Sequence, residues 1–156
     1  MDVLLIDPPF EEAYSVGGSK SVKYVLNLIP SLGLGYLAAV LLQENFDVQI
    51  LDCTLGISHA QLRERLRLLE VKIVGITCTT ASYASARKTA KIVREVLPYA
   101  TIVLGGTHVT ATPLETMREE LFDVGVYGEG EFGFLELVKH LASQGLKNLG
   151  HIPGLI

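Results

Sequence analysis

Lys72-Ile73-Val74-Gly75-Ile76-Thr77 is a short run of Ile and Val that stops at the small, hydroxyl-rich stretch Cys78-Thr79-Thr80-Ala81-Ser82. It reads as a strand covered on both faces, the habit of a parallel sheet. Four more runs of this kind flank it: Val3–Asp7, Val48–Asp52, Thr101–Gly105 and Asp123–Tyr127. Helical spacing fills the intervals. Leu34, Leu37, Ala38 and Leu41 recur at i, i+3, i+4 and i+7, with Ser31 as N-cap. Leu62, Leu66 and Leu69 form a second stripe, and Ala86, Ala90, Val93 and Leu97 a third that Pro98 ends. Thr112-Pro113-Leu114-Glu115 combines a capping box with proline at the first helical position. Phe134, Leu135, Val138, Leu141 and Ala142 mark a last helix, ended by Gly145. Five strands alternating with five helices predict an α/β fold. The expected form is a doubly wound, flavodoxin-like (Rossmann-like) five-stranded parallel sheet with helices on both faces. Right-handed crossovers leave few topologies, and the strand order 2-1-3-4-5 is expected.

At 156 residues the chain has the size of one domain, and residues 1–156 are read as a single unit. Hydrophobic residues make up 49% and charged residues 19%, too apolar a mixture for a disordered chain. Lys and Arg total 13 against 17 Asp and Glu, a formal charge of −4, so no basic field exists to hold a nucleic-acid backbone. No apolar stretch approaches the ~20 residues that cross a bilayer. Asp2 stands where a signal peptide needs lysines, so a cytoplasmic location is expected. Cys53 and Cys78 make neither a disulfide framework nor a metal cluster, and His59, His108, His140 and His151 lack metal-ligand spacing. No catalytic triad assembles from strand-end residues, so neither a catalytic residue nor a metal ligand is assigned.

Ligands of doubly wound sheets bind outside the carboxyl ends of the strands, where the order reverses. The segments in that position are Pro8–Pro30, Cys53–Ile57, Cys78–Ala81, Gly106–Thr112 and Gly128–Glu131. The first is far longer than the 2–6 residues usual for such a connection, and Phe10–Ile29 is expected to be the least ordered part of the free domain. Gly33-Leu34-Gly35-Tyr36-Leu37-Ala38 matches the dinucleotide pattern G-x-G-x-x-A, with Asp52 about twenty residues on. Those glycines come too late after strand 1 for the turn the mechanism needs; helix–sheet packing or room for a ligand explains them better. Gly17-Gly18-Ser19-Lys20-Ser21 lacks the glycine directly before lysine that a phosphate loop requires. Thr77, Thr79 and Thr80 offer hydroxyls to a ligand or caps to the next helix. Gly105-Gly106 permits close approach of a bulky ligand, or a tight turn. Gly128-Glu129-Gly130-Glu131 repeats that logic, and His108 is the one histidine at this edge.

In succession these segments resemble a known family. Asp7-Pro8-Pro9, the run from Pro30 to Ala39, Leu51-Asp52, Gly105-Gly106-Thr107-His108 and Gly128-Glu129-Gly130-Glu131 are similar to the amino-terminal cobalamin-binding domain of cobalamin-dependent radical S-adenosylmethionine enzymes. Members include methyltransferases and the anaerobic magnesium-protoporphyrin monomethyl ester cyclase. The resemblance implies a cobalamin-binding domain, not catalytic by itself, at the amino-terminal part of a longer enzyme. Its catalytic domain, joined in cis, would bind S-adenosylmethionine and an iron–sulfur cluster, whose C-x-x-x-C-x-x-C ligands this chain lacks. Ile152-Pro153-Gly154-Leu155-Ile156 is similar to the segment leading into that domain. The implied cofactor contacts are Pro9, Leu32 and Gly33, then Thr77, Thr79 and Thr80, then Gly105, Gly106 and His108, and finally Gly128, Glu129 and Gly130. A bulky residue at 106 is expected to block the cofactor while sparing the fold. Cobalamin domains of the methionine synthase type carry D-x-H-x-x-G after strand 1. Aligned on Asp7, Pro9 takes the place of the cobalt-ligating histidine and Glu12 that of the glycine. Base-off cobalamin without a protein imidazole is therefore implied. A flavodoxin-like binding or regulatory module for another ligand is the competing reading, with a dinucleotide enzyme behind it.

Overall fold

The computed structural model describes residues 1–9, 30–118 and 120–156. The expectations for Phe10–Ile29, including the Gly17–Ser21 stretch and Glu12, lie outside them. Five strands, β1 (Val3–Asp7), β2 (Val48–Asp52), β3 (Ile73–Thr77), β4 (Thr101–Gly105) and β5 (Val124–Gly125), form one parallel sheet in the order β2-β1-β3-β4-β5. That is the predicted topology. Six α-helices are described rather than five: α1 (Leu32–Gln43), α2 (His59–Leu66), α3 (Tyr83–Val96), α4 (Thr107–Ala111), α5 (Pro113–Met117) and α6 (Gly130–Gln144). The extra one arises at Thr112, where a helix start but not a helix end was read. Pro113 keeps the residue before it out of helical geometry (Thr112 φ −137°, ψ 57°), so α4 stops and α5 begins afresh. Nor does the predicted capping box form. The Thr112 hydroxyl instead donates back to the His108 carbonyl at 3.0 Å.

Alternation along the strands builds two cores. Leu4 and Ile6 of β1 face one way, with Val74 and Ile76 of β3, and pack beneath α2 and α3 through Leu62, Leu66, Ala86, Ala90 and Val93. Val3 and Leu5 face the other way and pack beneath α1 and α6 through Leu34, Ala38, Leu41, Phe134 and Val138. Edge strand β2 departs from the expectation of burial on both faces. Ile50 is 44% exposed, because β2 has a neighbour on one side and partial cover above. The start of β5 is pinned by Asp123. Its carboxylate accepts two hydrogen bonds from Arg94 at 2.8 Å and the buried Ile102 N–H at 2.7 Å.

Register also makes a conflict. Asp7 ends β1 directly beside Asp52, which ends β2. Asp52 is satisfied by the Thr54 N–H at 2.9 Å and the Thr54 hydroxyl at 2.5 Å. Asp7 is the worse placed. Burial, and then the Asp52 charge, push its carboxyl up to about 6.

Two outcomes follow from these contacts. Asp123→Ala leaves the Ile102 N–H without its acceptor and Arg94 with the Ala100 carbonyl at 3.3 Å in place of a carboxylate, and should lower stability to urea by about 1–3 kcal/mol. For Asp7 the folded state holds a proton between roughly pH 4 and 6 that the unfolded state has released. Its contribution to stability therefore falls as pH rises through that window. Asp7→Asn removes the penalty, so urea titrations should find the variant more stable than the parent at pH 7, with the difference shrinking toward pH 4. An equal difference at both values would contradict the assignment.

Candidate functional site

The face of the sheet under α1 and α6 carries its side chains in rows. Register places Leu5, Gly75, Val103 and Val124 side by side in one row. The next row toward the carboxyl edge holds Asp52, Asp7, Thr77 and Gly105. Each row has a glycine in a central strand. Where those side chains are missing, the sheet and its covering helices part to leave a crevice of about 160 Å³ open at the carboxyl edge. Leu5, Gly75 and Val103 form its floor, Thr77, Gly105 and Gly106 its inner rim. Gly33, Leu34 and Leu37 of α1 close one side; Val126, Gly128 and Glu129 with Gly130, Glu131 and Phe134 of α6 close the other.

The glycines have different tasks. A β-carbon at Gly75 would stand 2.8 Å from Leu5 Cδ2 and 3.4 Å from Phe134 Cζ, so glycine lets those two side chains meet and seal the floor. At Gly105 the nearest atom would be the Val126 carbonyl oxygen at 3.7 Å, so the absent side chain is the open space itself. Gly106 makes the turn, with φ +102° and the Cys78 backbone against the place of its β-carbon. A bulky residue there disturbs the backbone, so the expectation that position 106 tolerates one without harm to the fold is corrected. Gly105 is the position that accepts a side chain.

Of the residues read from the sequence, Gly33, Thr77, Gly105, Gly106, Gly128, Glu129 and Gly130 converge on this crevice. The others lie elsewhere. Thr79 caps the next turn, its hydroxyl accepting the Ser82 N–H at 3.3 Å while Ser82 Oγ accepts the Thr79 N–H at 3.0 Å. Thr80 and His108 meet at the same sheet edge, Thr80 Oγ1 3.2 Å from His108 Nδ1, with the His108 ring 4.1 Å from that of Tyr83. Pro9 is buried, and its carbonyl accepts the Ser85 hydroxyl, which lies 3.2 Å from His59 Nε2. Leu32, at the start of α1, is 72% exposed. Sequence reasoning did not assign Leu5, Gly75, Ile76, Val103, Val126 or Phe134 to the site, while Leu34, Leu37 and Glu131 stood in segments it quoted without being named as contacts. Of the first six, Gly75 carried a signal, since glycine inside a strand marks a close approach.

The chemistry of the lining is selective. Among the described residues Glu129 and Glu131 are its only charged groups, and both are acids. Behind that rim the walls are Leu, Val, Phe and glycine, which suits a neutral, flat fragment and not a phosphate. The two cysteines stay protonated. Burial pushes both thiols up to about 12, helped at Cys53 by the Asp52 and Asp7 charges, so both act as packing groups. Gly33 and Gly35 stand inside α1, not in a turn following β1, and an added β-carbon at either meets nothing within 4 Å. They are neither a dinucleotide turn nor a close helix–sheet contact. Among the described residues no group of three or more His, Cys, Asp or Glu could hold a metal ion. No helix among them is long and apolar enough to cross a membrane.

Comparison with known proteins agrees with this geometry. Over 145 residues the chain is 38% identical to an uncharacterized methyltransferase of Pyrococcus horikoshii, covering 91% of this chain and 30% of that protein. It is also 38% identical over 113 residues to the anaerobic magnesium-protoporphyrin IX monomethyl ester cyclase of Cereibacter sphaeroides, covering 70% of this chain and 18% of the cyclase. The chain thus spans less than a third of each. Its fold matches the radical S-adenosylmethionine methyltransferase TsrM of Kitasatospora setae, solved with cobalamin and a [4Fe-4S] cluster bound. There the TM-score is 0.76 at 23% identity, over 100% of this chain and 29% of TsrM. The cobalamin-dependent radical enzyme OxsB, solved with aqua-cobalamin and S-adenosylmethionine, matches at a TM-score of 0.77 and 18% identity, over 99% of this chain and 20% of OxsB. A family model described as the B12 binding domain matches residues 20–138, most of the sheet and its helices. The chain belongs to the B12 binding domain family.

Proposed function

We propose that this chain carries cobalamin with the nucleotide tail drawn into the crevice between the sheet and helices α1 and α6. The observation that carries the reading is the crevice itself: a slot opened by Gly105, floored at Gly75, apolar within and, among the described residues, lined by no cationic side chain. The tail's neutral base suits the apolar depth behind the Glu129 and Glu131 rim. Thr77 contributes the one hydroxyl of the lining among the described residues and is the donor for a polar atom of the buried tail. Gly105, Gly106 and Gly128 would let backbone approach the ligand, and Thr80 and His108 would border the corrin ring at the carboxyl edge. Asp7-Pro8-Pro9 would offer the ring no imidazole, and Pro9 turns its carbonyl to Ser85. A tail drawn into the crevice would leave bound cobalamin base-off, with no histidine from this segment in place of its base.

When bound, cobalamin supplies a cobalt centre able to accept and pass on a methyl group. The chain's own residues bind and orient it and exclude water from its tail. We infer that residues 1–156 are the amino-terminal part of a longer cytoplasmic enzyme, a methyltransferase or a ring cyclase. Its catalytic domain lies in cis and binds S-adenosylmethionine and the iron–sulfur cluster.

Mixing the protein with hydroxocobalamin, desalting and recording the visible spectrum tests the reading. Retained colour with a shifted corrin band is expected. Gly105→Leu fills the slot and should abolish retention while circular dichroism stays that of the parent; undiminished retention in the folded variant would remove the crevice from the site. Thr77→Val deletes one hydrogen bond and should weaken binding about three- to tenfold.

A further inference from the structure

Residues 153–156 pack against β5 and α6, behind the outer wall of the crevice. After α6 and a 3₁₀ turn at Leu149–His151, the backbone returns along the outer side of β5. The Gly125 N–H donates to the Ile156 carbonyl at 2.7 Å, and the Ile156 N–H donates back to Gly125 at 2.9 Å. Val126 and Leu155 form an antiparallel bridge, and the Tyr127 N–H donates to the Gly154 carbonyl at 2.9 Å. This strap covers a row of backbone groups that β5 would otherwise leave open at the sheet edge.

Two glycines make room for it. A β-carbon at Gly125 would lie 2.6 Å from Ile156 Cγ2, and one at Gly133 would lie 2.8 Å from the Pro153 carbonyl oxygen. Gly133 stands inside α6, where glycine costs about 1 kcal/mol relative to alanine. The close approach of Pro153 accounts for a residue that helix propensity disfavours. The strap thus grips the chain at Tyr127 and again at Gly133. Between those points lie Gly128, Glu129, Gly130 and Glu131, which line the crevice.

We propose that the strap of residues 153–156 is a positioning element of the cofactor site: by clamping Tyr127 and Gly133 it holds the outer crevice wall in binding geometry. Strap docking and cofactor uptake are then coupled, and a partner or linked domain that lifts the strap loosens the cofactor. The family match ends at residue 138, so this element lies outside the matched part. The inference rests on the cobalamin reading above. Coupling of this kind is reciprocal, so the cofactor must also tighten the strap.

Hydrogen exchange of the unaltered full chain, with and without hydroxocobalamin, reads that coupling. Exchange at the Tyr127 and Ile156 amides should slow by about fivefold or more on loading, while Leu62 on the opposite face changes less than about twofold. Unchanged exchange at Tyr127 and Ile156 in protein that retains the corrin colour overturns the proposal. Gly133→Ala sets a methyl group against the Pro153 carbonyl while favouring the helix. Its cobalamin affinity should fall by about tenfold or more with circular dichroism unchanged. Gly150→Ala, whose added methyl meets nothing within 4 Å, should bind as the parent does. A folded Gly133→Ala protein of parental affinity also overturns the proposal; if it does not fold, the exchange result on the unaltered chain decides. Absence of corrin colour in the unaltered chain would instead overturn the cobalamin reading, which separates the two failures.

Discussion

Side chains on one face of a parallel sheet stand about 5 Å apart in rows that run across the strands, and they fill the space under a covering helix. A slot between sheet and helix can open only where a central strand gives up its side chain. Gly75 and Gly105 do this in successive rows, and they do it differently. At Gly75 the vacancy is taken by Leu5 and Phe134, which meet to make a floor; at Gly105 it stays open. Everything else about the site follows from that pair. Helices α1 and α6 become walls because they cover these rows, and the loops after β4 and β5 become the mouth because they leave from the open end.

The opposite face has no such vacancy. Leu4, Ile6, Val74, Ile76, Ile102 and Leu104 are almost fully buried beneath α2 and α3. A small α/β domain must bury enough apolar surface to fold. Here both faces do so, and the core beneath α1 and α6 shares its face with the candidate crevice. Polar contacts then fix the margins, with Asp123 anchoring the entry to β5 and the closing strap anchoring its exit.

The sheet was legible in the sequence because five Val- and Ile-rich runs alternate with helical stripes, and chirality leaves few ways to connect them. What escaped was set by neighbours in space. The break at Thr112 needed the steric effect of Pro113 on the residue before it, and the exposure of β2 needed its edge position. At the site, the glycines of the strand ends and of Gly128-Glu129-Gly130 were readable because glycine at a strand end has few other uses. Leu5, Leu34 and Phe134 were not, since each looks like any core residue until the topology brings three distant segments together. Thr79 was read both ways, because a hydroxyl at a strand end can serve a ligand or a cap, and the fold brings Ser82 to it as the cap partner.

The central claim is that the crevice takes the cofactor's tail and so removes its base from cobalt. Electron paramagnetic resonance of the cobalt(II) form bound to the full chain tests this most directly. The account predicts a spectrum without superhyperfine splitting from an axial nitrogen. Nitrogen splitting that persists in the His108→Ala protein would leave the base on the metal and the crevice without its ligand, and would contradict the account.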